Sequence, residues 1–307
     1  MPTMLVTHPD CLDHVTPSGH PEQVARLEVV LAALEGIELV RVMAPLAAED
    51  DLLRVHPASH IATIRRAAPT EGLVALDADT FMSTGSLTAA HRCAGGVVRA
   101  VEGVLAGEAT NAFVAMRPPG HHAERETAMG FCFFGNVAIG AKYALDHAGL
   151  RRVAIIDFDV HHGNGTQDLV EDDSRILFCS THQSPLYPGT GGADETGVAD
   201  NVVNIPLPDG TGSRAFRAAV EAKLLPRVEA FRPQLILVSA GFDAHRADPL
   251  AGMNLEAADF AWITEKLCDL ADRHCRGRMV SVLEGGYDLD ALAASAAAHV
   301  KVLKERG

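Results

Sequence analysis

The sequence has no Cys-x-x-Cys pair. Its six cysteines, Cys11, Cys93, Cys132, Cys179, Cys268 and Cys275, are scattered along 307 residues. That excludes a disulfide frame or a cysteine-rich zinc site and reads as reduced, mostly buried thiols. Long apolar runs are missing too, none approaching the roughly 18–20 residues of a membrane-spanning helix. The N-terminus lacks the basic start of an export signal: Asp10 and Asp13 come early, and the first Lys or Arg is Arg26. Positive charge is scarce, with 26 Lys and Arg against 40 Asp and Glu and a formal net charge of −14. A general nucleic-acid binder needs a basic face to displace counterions, so that class is excluded. Linkers, repeats and low-complexity tracts are absent. The expectation is a cytoplasmic protein, folded as a single domain over residues 1–307, with no membrane or nucleic-acid partner. Hydrophobic content of 48% and charged content of 21% fit a globular chain.

What is present is a repeated unit: an apolar run, a loop rich in Gly, Pro or His, then an amphipathic segment. Strands are predicted at Met4–Thr7, Ala112–Met116, Val153–Phe158, Ile176–Ser180, Val202–Ile205, Leu235–Ser239 and Met279–Leu283. Continuous apolar runs of this length mark strands buried on both faces of a parallel sheet. Helices are predicted at Pro21–Leu34, with Pro21 in the first turn, and at Ser86–Leu105, Ser213–Phe231, Glu256–His274 and Leu289–Lys304. Alternation of the two implies a three-layer α/β fold, whose ligand site lies beyond the carboxyl ends of the strands.

The chemically distinctive residues do follow the apolar runs. After Val153–Ile156 comes Asp157-Phe-Asp-Val-His-His-Gly-Asn-Gly165. Alternate residues of an extended chain share a face, so Asp157, Asp159 and His161 point the same way. Two carboxylates and an imidazole crowded at a strand end call for a cation, and mixed Asp/His ligation suits zinc or a similar ion. Gly163 and Gly165 are expected to allow a sharp turn. Asp243, beyond Leu235–Ser239, is a candidate third ligand; on spacing alone His245 and Asp248 compete with it, and an Arg246–Asp248 salt bridge is the plainer alternative. His121 and His122, in Arg117-Pro-Pro-Gly-His-His, can shuttle protons or bind metal. Gly130-Phe-Cys-Phe-Phe-Gly135 can wall an apolar channel or belong to the core. Tyr287, in Leu283-Glu-Gly-Gly-Tyr and one of only three tyrosines, is read as sitting on a flexible tip from which it can donate to an oxyanion.

Together and in this order, the motifs resemble the histone deacetylase family, including acetylpolyamine amidohydrolases and bacterial deacetylase-like amidohydrolases. The resemblance runs from Gly19-His-Pro-Glu-Gln-Val-Ala-Arg-Leu27 to the Tyr287 loop. Asn164 and the Pro249-Leu250 pair resemble the class II branch. The resemblance implies the arginase/deacetylase fold, an α/β three-layer arrangement around a mainly parallel sheet of about eight strands. It implies a single deacetylase catalytic domain with zinc on Asp159, His161 and Asp243; ferrous iron accepts the same ligands. His122 would be the general base, with Asn164 beside it. His121 would be its electrostatic partner, bonded to Asp157, and Tyr287 the oxyanion donor.

Further positions follow from the same resemblance. Phe131, after Gly130, and Tyr187 would line a tunnel for an acyl-lysine stem, with Asp79 at its rim. Structural potassium would use Asp157, the carbonyls of Asp159 and His161, Ser180 and Thr181; a second monovalent site would lie near Val170, Asp173 and Ile176. Polyamine-selective relatives often carry Glu seven positions after the zinc Asp, where this chain has Leu250. The implied reaction is hydrolysis of an N-acyl amide. The substrate would be an acylated lysine of a protein or peptide, and a small acetylated amine is the rival. The Thr7–Gly19 loop offers a surface for homo-oligomer contacts. A binuclear manganese ureohydrolase would need a second Asp where His245 stands. A catalytically silent acyl-lysine binder would not need His121, His122 and Tyr287 intact.

Overall fold

The computed structural model describes residues 2–307. Its strands are β1 Thr3–Thr7, β2 Val40–Met43, β3 Leu73–Ala75, β4 Phe81–Ser83, β5 Asn111–Val114, β6 Val153–Asp157, β7 Ile176–Gln183, β8 Val202–Leu207, β9 Leu235–Ala240 and β10 Met279–Leu283. Its helices are α1 Val24–Ala33, α2 Glu49–Leu52, α3 Ala58–Ala67, α4 Ser86–Ala106, α5 Asn136–Asp146, α6 Asn164–Val170, α7 Ser213–Ala219, α8 Leu225–Phe231, α9 Ala257–His274 and α10 Leu289–Glu305.

Eight strands form one sheet in the order β2-β1-β5-β10-β9-β6-β7-β8. All its pairings are parallel. Every apolar run read as a strand is one. The three strands not anticipated are β2, which is largely exposed at the sheet edge, and the short antiparallel pair β3–β4. Pro21 lies ahead of α1, whose N-cap is Gln23; His20 and Pro21 instead line a cavity. The predicted helix over Ser213–Phe231 is interrupted by a widened turn at Val220–Leu224. Pro226 explains it: without an N–H it cannot continue the regular ladder, and its ring crowds the preceding turn. Among the described residues, no helix is long and apolar enough to cross a membrane.

Because all eight strands run the same way, their carboxyl ends share one edge of the sheet. The contiguous central strands β5, β10, β9 and β6 end at Val114, Leu283, Ala240 and Asp157. The loops that follow carry His121–His122, Tyr287, Asp243 and Asp159–His161, respectively. Period-2 alternation sorts the last loop. Phe158 turns into a buried aromatic cluster with Phe242, Phe260 and His299, so Asp157 and Asp159 face the other way.

Candidate active site

Asp159, His161 and Asp243 are buried, and one ligand atom from each lies within 4.8 Å of the others. His161 Nδ1 stands 3.2 Å from both Asp159 Oδ1 and Asp243 Oδ2. Main-chain donors fix the acids: Gly285 N–H donates to Asp159 Oδ2 at 2.8 Å and Val160 N–H to Asp243 Oδ1 at 2.8 Å. A Cβ on Gly285 would fall 2.1 Å from Asp243 Oδ2 and 2.6 Å from Asp159 Oδ2, so only glycine lets the backbone approach both acids. Burial opposes a charged His161, yet its two carboxylate partners hold the imidazole up at about 10. Burial and the neighbouring Asp159 push Asp243 up to about 7. Burial would raise Asp159 as well, but His121 and His161 outweigh it and hold that carboxyl far below its usual range. The cluster is a negative cradle wanting positive charge, and its two carboxylates and one imidazole fit a borderline divalent cation. Of the competitors for the third position, His245 Nδ1 accepts from Ala247 N–H at 3.2 Å and Asp248 binds the Tyr287 loop. Arg246 pairs with Glu256 rather than with Asp248.

The adjacent imidazoles have opposite electrostatics. His121 Nδ1 is 3.1 Å from Asp157 Oδ2, and although burial opposes its charge, Asp159 and Asp157 raise it well above the ordinary histidine value. Burial, His121 and His161 push His122 well below that value. His122 is therefore a neutral base beside a cation, an arrangement suited to taking a proton and passing it on. Its Nδ1 lies 2.7 Å from Asn164 Oδ1. Asp157 is itself pushed up to about 6 by burial, which His121 only partly offsets.

Tyr287 is held firmly and is not on a flexible tip. Its N–H donates to Asp248 Oδ2 at 2.7 Å, and the Arg26 guanidinium lies 4.7 Å from its ring centroid. Burial outweighs Arg26 and keeps the phenol well above its usual pKa, so it remains a donor.

His122, His161 and Tyr287 line a cavity of about 370 Å³, whose wall also includes His20, Asp79, Gly130, Phe131, Tyr187 and Leu250. The aromatic stretch divides: Phe131 lines the cavity, while Phe133 and Phe134 are core. Phe131 takes the left-handed φ of 69°, fixed by its N–H on Thr80 Oγ1 and by the His20 ring edge-on at 4.9 Å. Gly130 also has positive φ, 53°, and a Cβ there would meet His122 Cδ2 at 2.5 Å. Tyr187 is 39% exposed and packs edge-on to His122. At the rim, Asp77 Oδ1 accepts the N–H groups of Asp79 and Thr80, which builds the turn and leaves Asp79 to the cavity.

Asp157 and Ser180 are paired across β6 and β7, and Thr181 Oγ1 is buried with no hydrogen-bond partner. Ser180 Oγ instead meets His182 Nδ1 at 2.9 Å. The carbonyls of Val170, Asp173 and Ile176 converge on the Asn201 amide, which donates to all three. Gly163 and Gly165 have ordinary φ. Their role is close approach to Asp157 and to the Ala123 carbonyl, where a Cβ would come within 2.3 and 2.4 Å.

Sequence reasoning assigned no role to the floor beneath the histidines. Glu22, Arg26 and Arg117 are buried together: Arg117 forks onto Glu22, and Arg26 bonds Glu22 and the carbonyls of Glu284 and Gly286. Glu284 Oε2 accepts the N–H groups of Gly120 and His121 at 2.7 and 3.2 Å. Arg117 also donates to the Cys11 and His14 carbonyls, pinning the Thr7–Gly19 loop. Charged residues inside the Gly19–Leu27 and Leu283–Tyr287 motifs were the available signal; their partners are far away in sequence.

The histone deacetylase domain family matches residues 20–303. A probable deacetylase of Archaeoglobus fulgidus is 40% identical over 299 residues, 94% of this chain and 82% of that one. The histone deacetylase-like amidohydrolase of Pseudomonas aeruginosa is 44% identical over 248 residues, covering 80% of this chain and 65% of that protein. The crystal structure of the HDA15 HD domain superposes with a TM-score of 0.94 at 34% identity, over 99% of this chain and 89% of that one.

Proposed function

Given that this chain belongs to the histone deacetylase family, hydrolases of amide bonds with the arginase/deacetylase fold, we propose that it removes an acyl group, foremost acetyl, from the Nε of a lysine side chain with zinc as its metal. The observation that carries this reading is the convergence of His122, His161 and Tyr287 on one cavity whose wall carries the aromatic rings of Phe81, Phe131 and Tyr187. Asp159, His161 and Asp243 would hold the zinc, and the buried, orphaned Thr181 hydroxyl beside Ser180 supports a potassium ion with Asp157 nearby. Zinc bound there would supply Lewis acidity toward water and the acyl carbonyl.

The chain's own groups account for the rest. Phe131 and Tyr187 grip an apolar methylene stem, and Asp79 accepts an N–H at the rim. His122 takes a proton from the attacking water, while charged His121 offsets the surrounding carboxylates. Tyr287 donates to the oxygen on which negative charge develops. The proton on His122 then goes to the departing amine.

Turnover should be compared on an acetyl-lysine peptide and acetylputrescine, with Tyr287→Phe as control. Fast peptide cleavage, reduced in the variant, is the expected result. Preference for acetylputrescine would move the reading to acetylpolyamines despite Leu250 in the wall. Stoichiometric zinc with neither amide cleaved would overturn the lysine substrate and bring forward a silent acyl-lysine binder.

A further inference from the structure

Asn164 has two unlike ends, a carbonyl that accepts and an amide that donates. Its Nδ2 donates to Glu124 Oε1 at 2.8 Å and more weakly to Met129 Sδ at 3.4 Å, and its Oδ1 lies 2.7 Å from His122 Nδ1. Among the described residues no other side chain hydrogen-bonds to the Glu124 carboxylate, which forms no ion pair there. An ionised carboxylate only accepts, so the amide end of Asn164 must face Glu124. The carbonyl end must then face His122, whose Nδ1 must carry the hydrogen. That leaves Nε2 with the free lone pair. Asn164 is 6% exposed, so water does not readily replace a missing partner. Without the Glu124 carboxylate only the weak thioether acceptor Met129 Sδ remains on that side, so the amide can turn over and donate to Nδ1, which moves the hydrogen to Nε2 and removes the basic lone pair from that nitrogen.

We propose that Glu124 is a positioning residue which, through the orientation of Asn164, holds His122 as the Nδ1–H tautomer. The proposal deepens, and rests on, the reading of His122 as the proton acceptor. The backbone supports a fixed role: Glu124 N–H closes on the Thr127 carbonyl at 3.0 Å, and Glu124 is half-buried while residues 125–127 are exposed.

The test uses the full chain reconstituted with zinc, and reads ¹⁵N imidazole spectra together with kcat and KM on an acetyl-lysine peptide. The His122 signals are identified by their loss in His122→Gln. The expected wild-type form is Nδ1–H. Glu124→Ala should give a tautomer mixture and a kcat lower by roughly 10-fold or more, KM changing little. Adding Asn164→Asp should restore Nδ1–H, because a carboxylate has no donor end to misplace; a role confined to bracing the loop would show no such rescue. A pure Nδ1–H spectrum in Glu124→Ala, or a mixture persisting in the double variant, overturns the proposal. Should Glu124→Ala fail to fold, Glu124→Gln serves: its side chain both donates and accepts, a mixture is again expected, and pure Nδ1–H again refutes it. If the wild type cleaves no amide while the spectra change as stated, the deacetylase reading falls and the Glu124 relay stands.

Discussion

Tyr287, His122 and the glycines around them have sharply defined tasks, and single substitutions separate those tasks. Tyr287→Phe removes one hydrogen-bond donor and leaves the ring on Arg26. Its kcat should fall by about 10²–10³-fold with zinc stoichiometry unchanged, read by steady-state kinetics and metal analysis. Gly130→Ala forces a side chain into a left-handed backbone and against His122. A kcat loss of roughly 10²-fold is expected, since misplacing a reacting group by about 1 Å costs that much. The pH dependence follows from His122. Burial and the charged neighbour His121 depress it well below the ordinary 6.5, so it stays neutral as pH falls through that value. The acid limb of kcat/KM assigned to it should therefore lie below pH 6.5; a limb at or above that value would contradict the assignment.

Local runs and long-range partners differed in how readily the chain disclosed them. Strands buried on both faces, such as β6, β9 and β10, are continuous apolar words, and the loops that carry the candidate site residues follow them directly. The edge strand β2 carries no such signal because most of it faces solvent, and α6 begins inside the His161–Gly165 motif, where glycines mask it. The Asp159–His161–Asp243 cluster was accessible because two of its members are two residues apart on one strand extension. Asp248 was not, because its partner is the main chain of Tyr287, 39 residues away. Glu22 was also opaque. It sits ahead of α1, fully buried, and Arg117 and His14 hold its carboxyl well below the usual range in spite of burial. Glu22→Ala leaves Arg117 buried without its partner and should cost about 3–5 kcal/mol of unfolding free energy in urea titrations. Since the folded pKa is depressed, the contribution of Glu22 is present above its unfolded value near 4.5 and is lost as pH falls below it. The difference between wild type and Glu22→Ala should accordingly shrink in acid.

The whole molecule joins its central sheet to the Asp159–His161–Asp243 cluster. Asp159 and Asp243 hang from β6 and β9, while Gly285, after β10, donates to Asp159; a bound cation would thus tie three strands together. Chelation should lower the thermal midpoint, and zinc should restore it in a concentration-dependent way. Gly285→Ala should abolish that restoration by filling the space beside both acids. The strand order has a consequence for biosynthesis. β10, the last of the eight strands in sequence order, is inserted between β5 and β9 and pairs with both. A nascent chain on the ribosome therefore cannot close its sheet, or bring Tyr287 to His122 and His161, until the residues from Met279 to Tyr287 emerge. Until then two apolar strand edges stand open in the middle of the molecule, a form that chaperones would have to guard.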